Sequence, residues 1–329
     1  MFGITFSLLL SASLIAQHAP FSTDGYDSYM PEIRLWNKIM LAYPRLDITT
    51  AKGLAQARVV WGQAGGKSIL KPQDRFIKGK GSNIRIRIFR PDSIRAVVLD
   101  IHGGGGIAGR PENSDSLNGE MARFCRVAVV SVDYRLAPEN PFEAEVEDCD
   151  AIAAWLIQNE TNEFGTDKLI FSGLSAGATL GALTLLDVRA KMHSIGRVIG
   201  INFFYGAFDL SRTPSCRMAG SHSLIIDSVI LSQLREVVFP GKSAEELRSA
   251  SYSPLYADLK GLPPALFSVG SNDPMIDDNT FMANRWEASG NQTTLYVYPE
   301  CPHAFSLFPT QVAKLANHRV IDWINGLLK

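Results

Sequence analysis

The pentapeptide Gly173-Leu174-Ser175-Ala176-Gly177 sets a serine between two glycines, after an apolar strand-like run (168–172) and before a small-residue, helix-like run (178–183). A serine on so tight a strand-to-helix turn is held with its hydroxyl exposed, and the glycines let the backbone pass closely on both sides. Ser175 is therefore the candidate nucleophile. To attack a carbonyl at neutral pH it needs a base to take its proton, a carboxylate to orient that base and N–H donors for the developing oxyanion.

Each part is present further along or earlier in the chain. Asp273 follows the buried strand run 266–269 in Gly270-Ser271-Asn272-Asp273-Pro274, where Pro274 fixes the turn. Asp277 and Asp278 compete for the role, but they open the next helix, where a carboxylate complements the helix dipole. His303 lies after the last strand in Cys301-Pro302-His303-Ala304-Phe305. The other histidines are poorly placed: His18 in the N-terminal tail, His102 ahead of a glycine run, His193 at a helix end, His222 in an insertion and His318 inside the last helix. The run His102-Gly103-Gly104-Gly105-Gly106 suits an oxyanion hole, because backbone N–H groups reach a substrate oxygen only where no side chain intervenes. It lacks the G-K-[ST] ending of a Walker loop and the G-x-G-x-x-G spacing of a dinucleotide fold, which argues against phosphate binding.

The elements that must position these residues follow a regular rhythm. Helical spacing of Ile33, Leu35, Trp36, Ile39 and Met40 predicts one or two helices between Pro31 and Arg58. Strands are expected over 74–79 and 84–89, the second alternating Ile with Arg, then as continuous buried runs over 96–101, 127–132, 168–172 and 198–204. A helix is expected over 142–158, ended by Gly165. Residues 207–252 break the rhythm, with one helix over 225–238, as a cap over a site would. Strands over 264–270 and 294–298, a helix through 281–288 and a last amphipathic helix over 311–328 complete the chain. Alternating strands and helices predict an α/β fold with a mostly parallel sheet.

Bulk properties exclude several classes. With 329 residues, 46% of them hydrophobic and 20% charged, the chain buries a sizeable core and is not globally disordered. A net charge of -1 gives no reason to expect nucleic acid as a partner. Cys125, Cys149, Cys216 and Cys301 form no C-x-x-C pair and read as free thiols, with a disulfide of undefined pairing left open. No metal site is expected. Residues 2–15 are mostly apolar, but no Lys or Arg precedes Arg34, and the run is short for a membrane span. A cytoplasmic protein is expected, or a secreted or periplasmic one if residues 1–19 act as an atypical signal.

Taken together, His102-Gly103-Gly104-Gly105, Asp133-Tyr134-Arg135-Leu136-Ala137-Pro138-Glu139, Ser175 in its pentapeptide, Asp273-Pro274 and Pro302-His303 resemble the hormone-sensitive-lipase-like esterases, the bacterial family IV group of α/β-hydrolases. The similarity runs from about Ile84 to the C-terminus. It implies an eight-stranded, mostly parallel sheet flanked by helices, with a core of 59–206 and 253–329 under a helical cap built from 1–58 and 207–252. It implies a Ser175-Asp273-His303 triad, with Gly104, Gly105 and Ala176 donating the oxyanion N–H groups, His102 shaping the glycine turn, and Arg135 and Glu139 tying the loop behind the site. The implied activity is hydrolysis of short- to medium-chain acyl esters through an acyl-enzyme. It needs no cofactor; the partner is a small-molecule ester, and a homodimer is compatible with the resemblance. Two alternatives share the scaffold: an amidase or formamidase with the same triad, and a non-catalytic binding protein such as the gibberellin receptors, which lose the catalytic histidine. The chain departs from the family at Leu174, where Asp or Thr is usual, and at Gly106, where a bulky residue is common; both departures reshape the pocket.

Overall fold

A computed structural model describes residues 25–42, 45–63, 65–220 and 223–329. Eight strands form one sheet in the order β1-β2-β4-β3-β5-β6-β7-β8, with β1 (Gln73–Lys78), β2 (Asn83–Phe89), β3 (Val97–Ile101), β4 (Ala128–Asp133), β5 (Leu169–Leu174), β6 (Val198–Phe204), β7 (Ala265–Gly270) and β8 (Thr293–Tyr298). The β1–β2 and β2–β4 pairings are antiparallel and the remaining five parallel. Every residue of β3, β5 and β7 is buried, as expected of strands covered on both faces. In β3, Val97, Leu99 and Ile101 face one core and Val98 the other.

Helices cover the two faces. The first core packs α4 (Phe142–Phe164), α5 (Ala176–Ala190) and α9 (Ile276–Ala288) on the sheet through Ile152, Leu180 and Trp286. The second packs α3 (Asp115–Cys125) and α10 (Gln311–Leu327) through Met121 and Ile324, together with Ile33 of α1 (Met30–Leu41). Burying each such side chain contributes about 1.5–3 kcal/mol. Strand β2 shows why its alternation matters. Ile84, Ile86 and Ile88 are buried, while Arg85 and Arg87 on the wet face bridge Asp74, Glu112, Asp115 and Asp133.

Most elements lie within a few residues of the sequence reading, but α3 is missing from it. Leu117, Met121, Ala122 and Cys125 do recur at helical spacing, yet the same buried face carries Asn118. Asn118 and Ser131 donate to the buried Asp100 carboxyl at 2.8 and 2.6 Å, and burial pushes Asp100 up to about 6. Helix α4 runs six residues beyond the expected end and stops at Gly165, whose φ of 72° is left-handed. Residues 207–252 hold α6 (Pro214–Met218), α7 (Ser228–Val238) and α8 (Ala244–Leu247). Helix α7 starts three residues later than expected because Asp227 caps it, accepting from Val229 and Ile230 N–H at 2.9 Å each. Helix α2 (Ala51–Gly62) continues past residue 58. All four cysteines are free and buried. Among the described residues no helix is long and apolar enough to cross a membrane. The apolar segment 2–15, His18 and His222 lie outside the described residues.

Candidate active site

Ser175 stands between the last residue of β5 and the first of α5, with φ 54° and ψ -119°. That conformation is costly for a residue with a side chain and survives only where the surroundings over-determine it. Here they do. Ser175 N–H donates to Phe204 O at 2.9 Å, and its carbonyl accepts from Ala178 at 2.9 Å. A side chain on Gly177 would sit 2.0 Å from Ile101 O, and one on Gly173 would sit 2.4 Å from Gly177 O. The two glycines thus let β5, β3 and α5 close on one another, and the serine is left at the tip.

The three residues separated by 98 and 30 positions in sequence meet at this tip. Ser175 Oγ lies 2.8 Å from His303 Nε2, and His303 Nδ1 lies 2.8 Å from Asp273 Oδ2. Asp273 and His303 are buried, and Met275 N–H donates to the other carboxylate oxygen at 2.8 Å. The imidazole also packs edge-on against Tyr205, whose hydroxyl bonds Ser306 Oγ at 2.6 Å. With Asp273 accepting from Nδ1, the imidazole presents an unprotonated Nε2 to the serine hydroxyl, the arrangement needed to take its proton.

The rival carboxylates are engaged elsewhere. Asp277 accepts from Ser215 N–H at 2.8 Å. Asp278 accepts from the N–H groups of Phe208 and Asp209 at 2.7 and 2.8 Å and from Thr213 Oγ1 at 2.6 Å. Burial pushes Asp278 up to about 7 against these three donors. More than complementing a helix dipole, it fastens the start of the 207–252 segment to α9. Asn279 does the same for Gly206, bonding both its N–H and its carbonyl. Neither role is visible in sequence, since both depend on which loop passes over the helix.

Gly104, at φ 126°, takes a conformation closed to other residues, and a Cβ there would lie 2.0 Å from Ala108 O. The N–H groups of Gly104 and Gly105 donate to no described residue, and Ala176 N–H is the first of α5, where no intrahelical acceptor exists. His102 is buried, stacked on Tyr134 at 4.2 Å and bonded to Gly103 O; burial holds it down at about 4, so it stays neutral. Tyr134 donates to His102 O at 2.8 Å. Behind the loop, Arg135 forks onto Asp148, and Arg58 of α2 forks onto Glu139 while donating to Ile107 O and Ala137 O. Arg58 was not among the expected residues; only the fold brings α2 beside this loop.

Ser175, His303, Gly104 and Gly105 open on a cavity of about 430 Å³, walled by apolar side chains including Leu174, Phe142, Leu231 and Phe239. Leu174 is buried in the second core. Among the described residues, no group of three or more His, Cys, Asp or Glu is arranged to hold a metal ion.

Residues 98–307 match the family defined by the α/β-hydrolase fold. An arylesterase of Saccharolobus solfataricus is 31% identical over 263 residues, spanning 78% of this chain and 82% of that one. A solved esterase of Pyrobaculum calidifontis superposes with a TM-score of 0.79 at 28% identity, over 89% of this chain and 98% of its own. A hormone-sensitive lipase from a metagenome library superposes with a TM-score of 0.76 at 25% identity, over 90% and 98%. The chain belongs to the α/β-hydrolases, in their hormone-sensitive-lipase-like branch of carboxylesterases.

Proposed function

We propose that this protein hydrolyses carboxylic esters of short to medium acyl chain by way of an acyl-enzyme on Ser175. The observation that carries the reading is the relay Ser175 Oγ–His303 Nε2 and His303 Nδ1–Asp273 Oδ2, each at 2.8 Å. His303 takes the hydroxyl proton as Ser175 attacks the acyl carbon, and Asp273 stabilises the imidazolium that forms. The oxyanion receives hydrogen bonds from Gly104, Gly105 and Ala176 N–H. His303 then protonates the departing alcohol, and water repeats the sequence on the acyl-enzyme. Residues up to 58 and 207–252 act as the cap. The cavity of about 430 Å³ and its apolar wall support a small acyl group over a long chain. The arylesterase and esterase named above support the substrate class.

A chain-length series of p-nitrophenyl esters, run beside aryl formamides, tests this. Turnover is expected to peak at short to medium acyl chains and to exceed that of the formamides. Faster turnover of formamides, or none of any ester, contradicts it.

A further inference from the structure

Two cavities meet at one pair of arginines. The cavity that Ser175 opens on and a second, of about 250 Å³, share Arg212, Arg235 and Phe239 as walls. Arg235 stands on α7 beside the apolar strip Leu231, Leu234 and Val238, which lines the catalytic cavity. That strip touches the oxyanion loop, since a Cβ on Gly105 would meet Leu234 at 2.8 Å. On its other side Arg235 borders Ser228 and Ser232 of the same helix. Arg212 spans these two serines, donating from Nη1 to Ser228 O at 3.2 Å and to Ser232 Oγ at 2.7 Å. The two guanidinium groups are thereby set side by side along one helix face.

Neither guanidinium is paired with an acid among the described residues. Arg235 makes one bond, from Nη2 to Lys242 O at 2.8 Å, which leaves its Nε and Nη1 unbonded, and Arg212 leaves its Nη2 unbonded. None of these three nitrogens is enclosed by protein, and both side chains are half-buried. The acids nearby are engaged: Asp209 accepts from the Ser211 and Tyr256 hydroxyls, Asp278 from Thr213, and Asp227 pairs with Arg45. Glu236 is exposed and lines the second cavity alone, where Lys242 balances its charge. The shared wall therefore carries positive charge without a counterion. Arg212 reaches this wall from a left-handed backbone, φ 73°, a conformation that a residue with a side chain adopts rarely and at a cost.

We propose that Arg212 and Arg235 are specificity-determining residues, forming an anion subsite that selects esters carrying a carboxylate at the end of the acyl or the alcohol chain. A carboxylate accepts charge-assisted bonds on both oxygens, a geometry that the planar guanidinium fork matches. A carboxamide of the same shape brings one acceptor oxygen and no charge, and turns an N–H group toward another donor. An ammonium is repelled. Because the arginines are half-buried rather than enclosed, pairing costs less desolvation than it would in a closed core. The subsite rests on the esterase reading and adds a substrate class to it.

The test compares three end groups, carboxylate, carboxamide and ammonium, in two series of esters. One series is p-nitrophenyl esters whose acyl chains, of adipic and suberic length, are too long for a terminal carboxylate to attack its own ester readily. The other is butyrate esters of alcohols ending in the same three groups. The readout is the ratio of kcat/KM between end groups within each protein, which a merely structural role of the arginines does not move. Wild type is expected to prefer carboxylate over carboxamide by at least about fivefold in one series. Arg212→Gln and Arg235→Gln are each expected to cut that ratio by at least about threefold, and Arg235→Glu to favour ammonium over carboxylate. A wild-type ratio below about fivefold in both series, a wild-type preference for ammonium, or a ratio cut by less than about threefold in both Gln variants overturns the subsite. Arg235→Gln gives up one bond to a backbone carbonyl, so it decides the matter even where Arg212→Gln does not fold. Turnover with flat ratios contradicts the subsite alone, whereas no turnover of any ester contradicts the esterase reading beneath it.

Discussion

The Arg34 guanidinium grips both carboxylate oxygens of Glu300, at 2.7 and 3.0 Å, three residues ahead of His303. Asn37 adds a bond to Glu300 O at 2.9 Å, Glu32 accepts from Gln311 N–H at 2.7 Å, and Trp36 stacks on Phe308 at 5.6 Å. Helix α1 is thus seated along the segment that carries the proposed base. The pair itself is exposed and screened by solvent, so Arg34→Ala alone is expected to change kcat/KM by less than about threefold. Deleting residues 1–41, which removes every one of these contacts, is expected to lower kcat/KM by about tenfold or more, since small misplacements of catalytic groups are costly. Ester kinetics on the two variants check this.

Glycine 104 offers a sharper probe of the oxyanion loop. Its φ of 126° and the 2.0 Å approach of a Cβ to Ala108 O mean that any side chain must displace the loop. Gly104→Ala is expected to lower kcat by about 100-fold or more, the scale of losing one oxyanion donor. A kcat within a few-fold of wild type would remove Gly104 from that role.

Asp278 makes a separable prediction about the 207–252 segment. Asp278→Ala leaves two buried N–H groups and the Thr213 hydroxyl without their acceptor. The expected cost is about 2–4 kcal/mol of stability, read by denaturant unfolding. Because Ala207, Asp209 and Leu210 line the cavity, KM is expected to rise with it.

Acid sensitivity follows from the wet face of β2. The Arg85 guanidinium bonded to Glu112 holds its carboxyl down at about 2 against an ordinary 4.5. A carboxyl lowered in the folded state contributes stability that is complete above the unfolded value and lost as pH falls toward the folded one. The contribution is therefore full above about 4.5 and is lost between about 4.5 and 2. Glu112→Gln is expected to flatten this part of the stability profile, measured by thermal unfolding across that range.

How much of this was legible in the chain depends on how local each signal is. Ser175, Asp273 and His303 could be singled out because each sits in a turn directly after a strand, so the same short stretch that names the residue also gives its place. The alternating Ile and Arg of β2 were equally plain, one residue per face. Helix α3 was not, because its buried face includes Asn118, whose partner Asp100 lies on a strand 18 residues away. Arg58, Asp278 and Asn279 escaped for the same reason: their roles are bonds to loops that only the finished fold brings near. Gly106 stands out in the sequence only as a departure from the family, and only the fold shows that a Cβ there would lie 2.8 Å from Oε1 of the buried Glu145.

Ser175 is the proposed nucleophile, and labelling tests that role most directly. Wild type treated with a p-nitrophenyl alkylphosphonate is expected to release nitrophenol in a one-to-one burst, gain one phosphonyl group by intact mass and carry it on Ser175. Ser175→Ala is expected to gain none and to lose ester turnover by at least about 1,000-fold. A variant that still turned over esters at the wild-type rate, or a label found on another residue, would contradict Ser175 as the nucleophile.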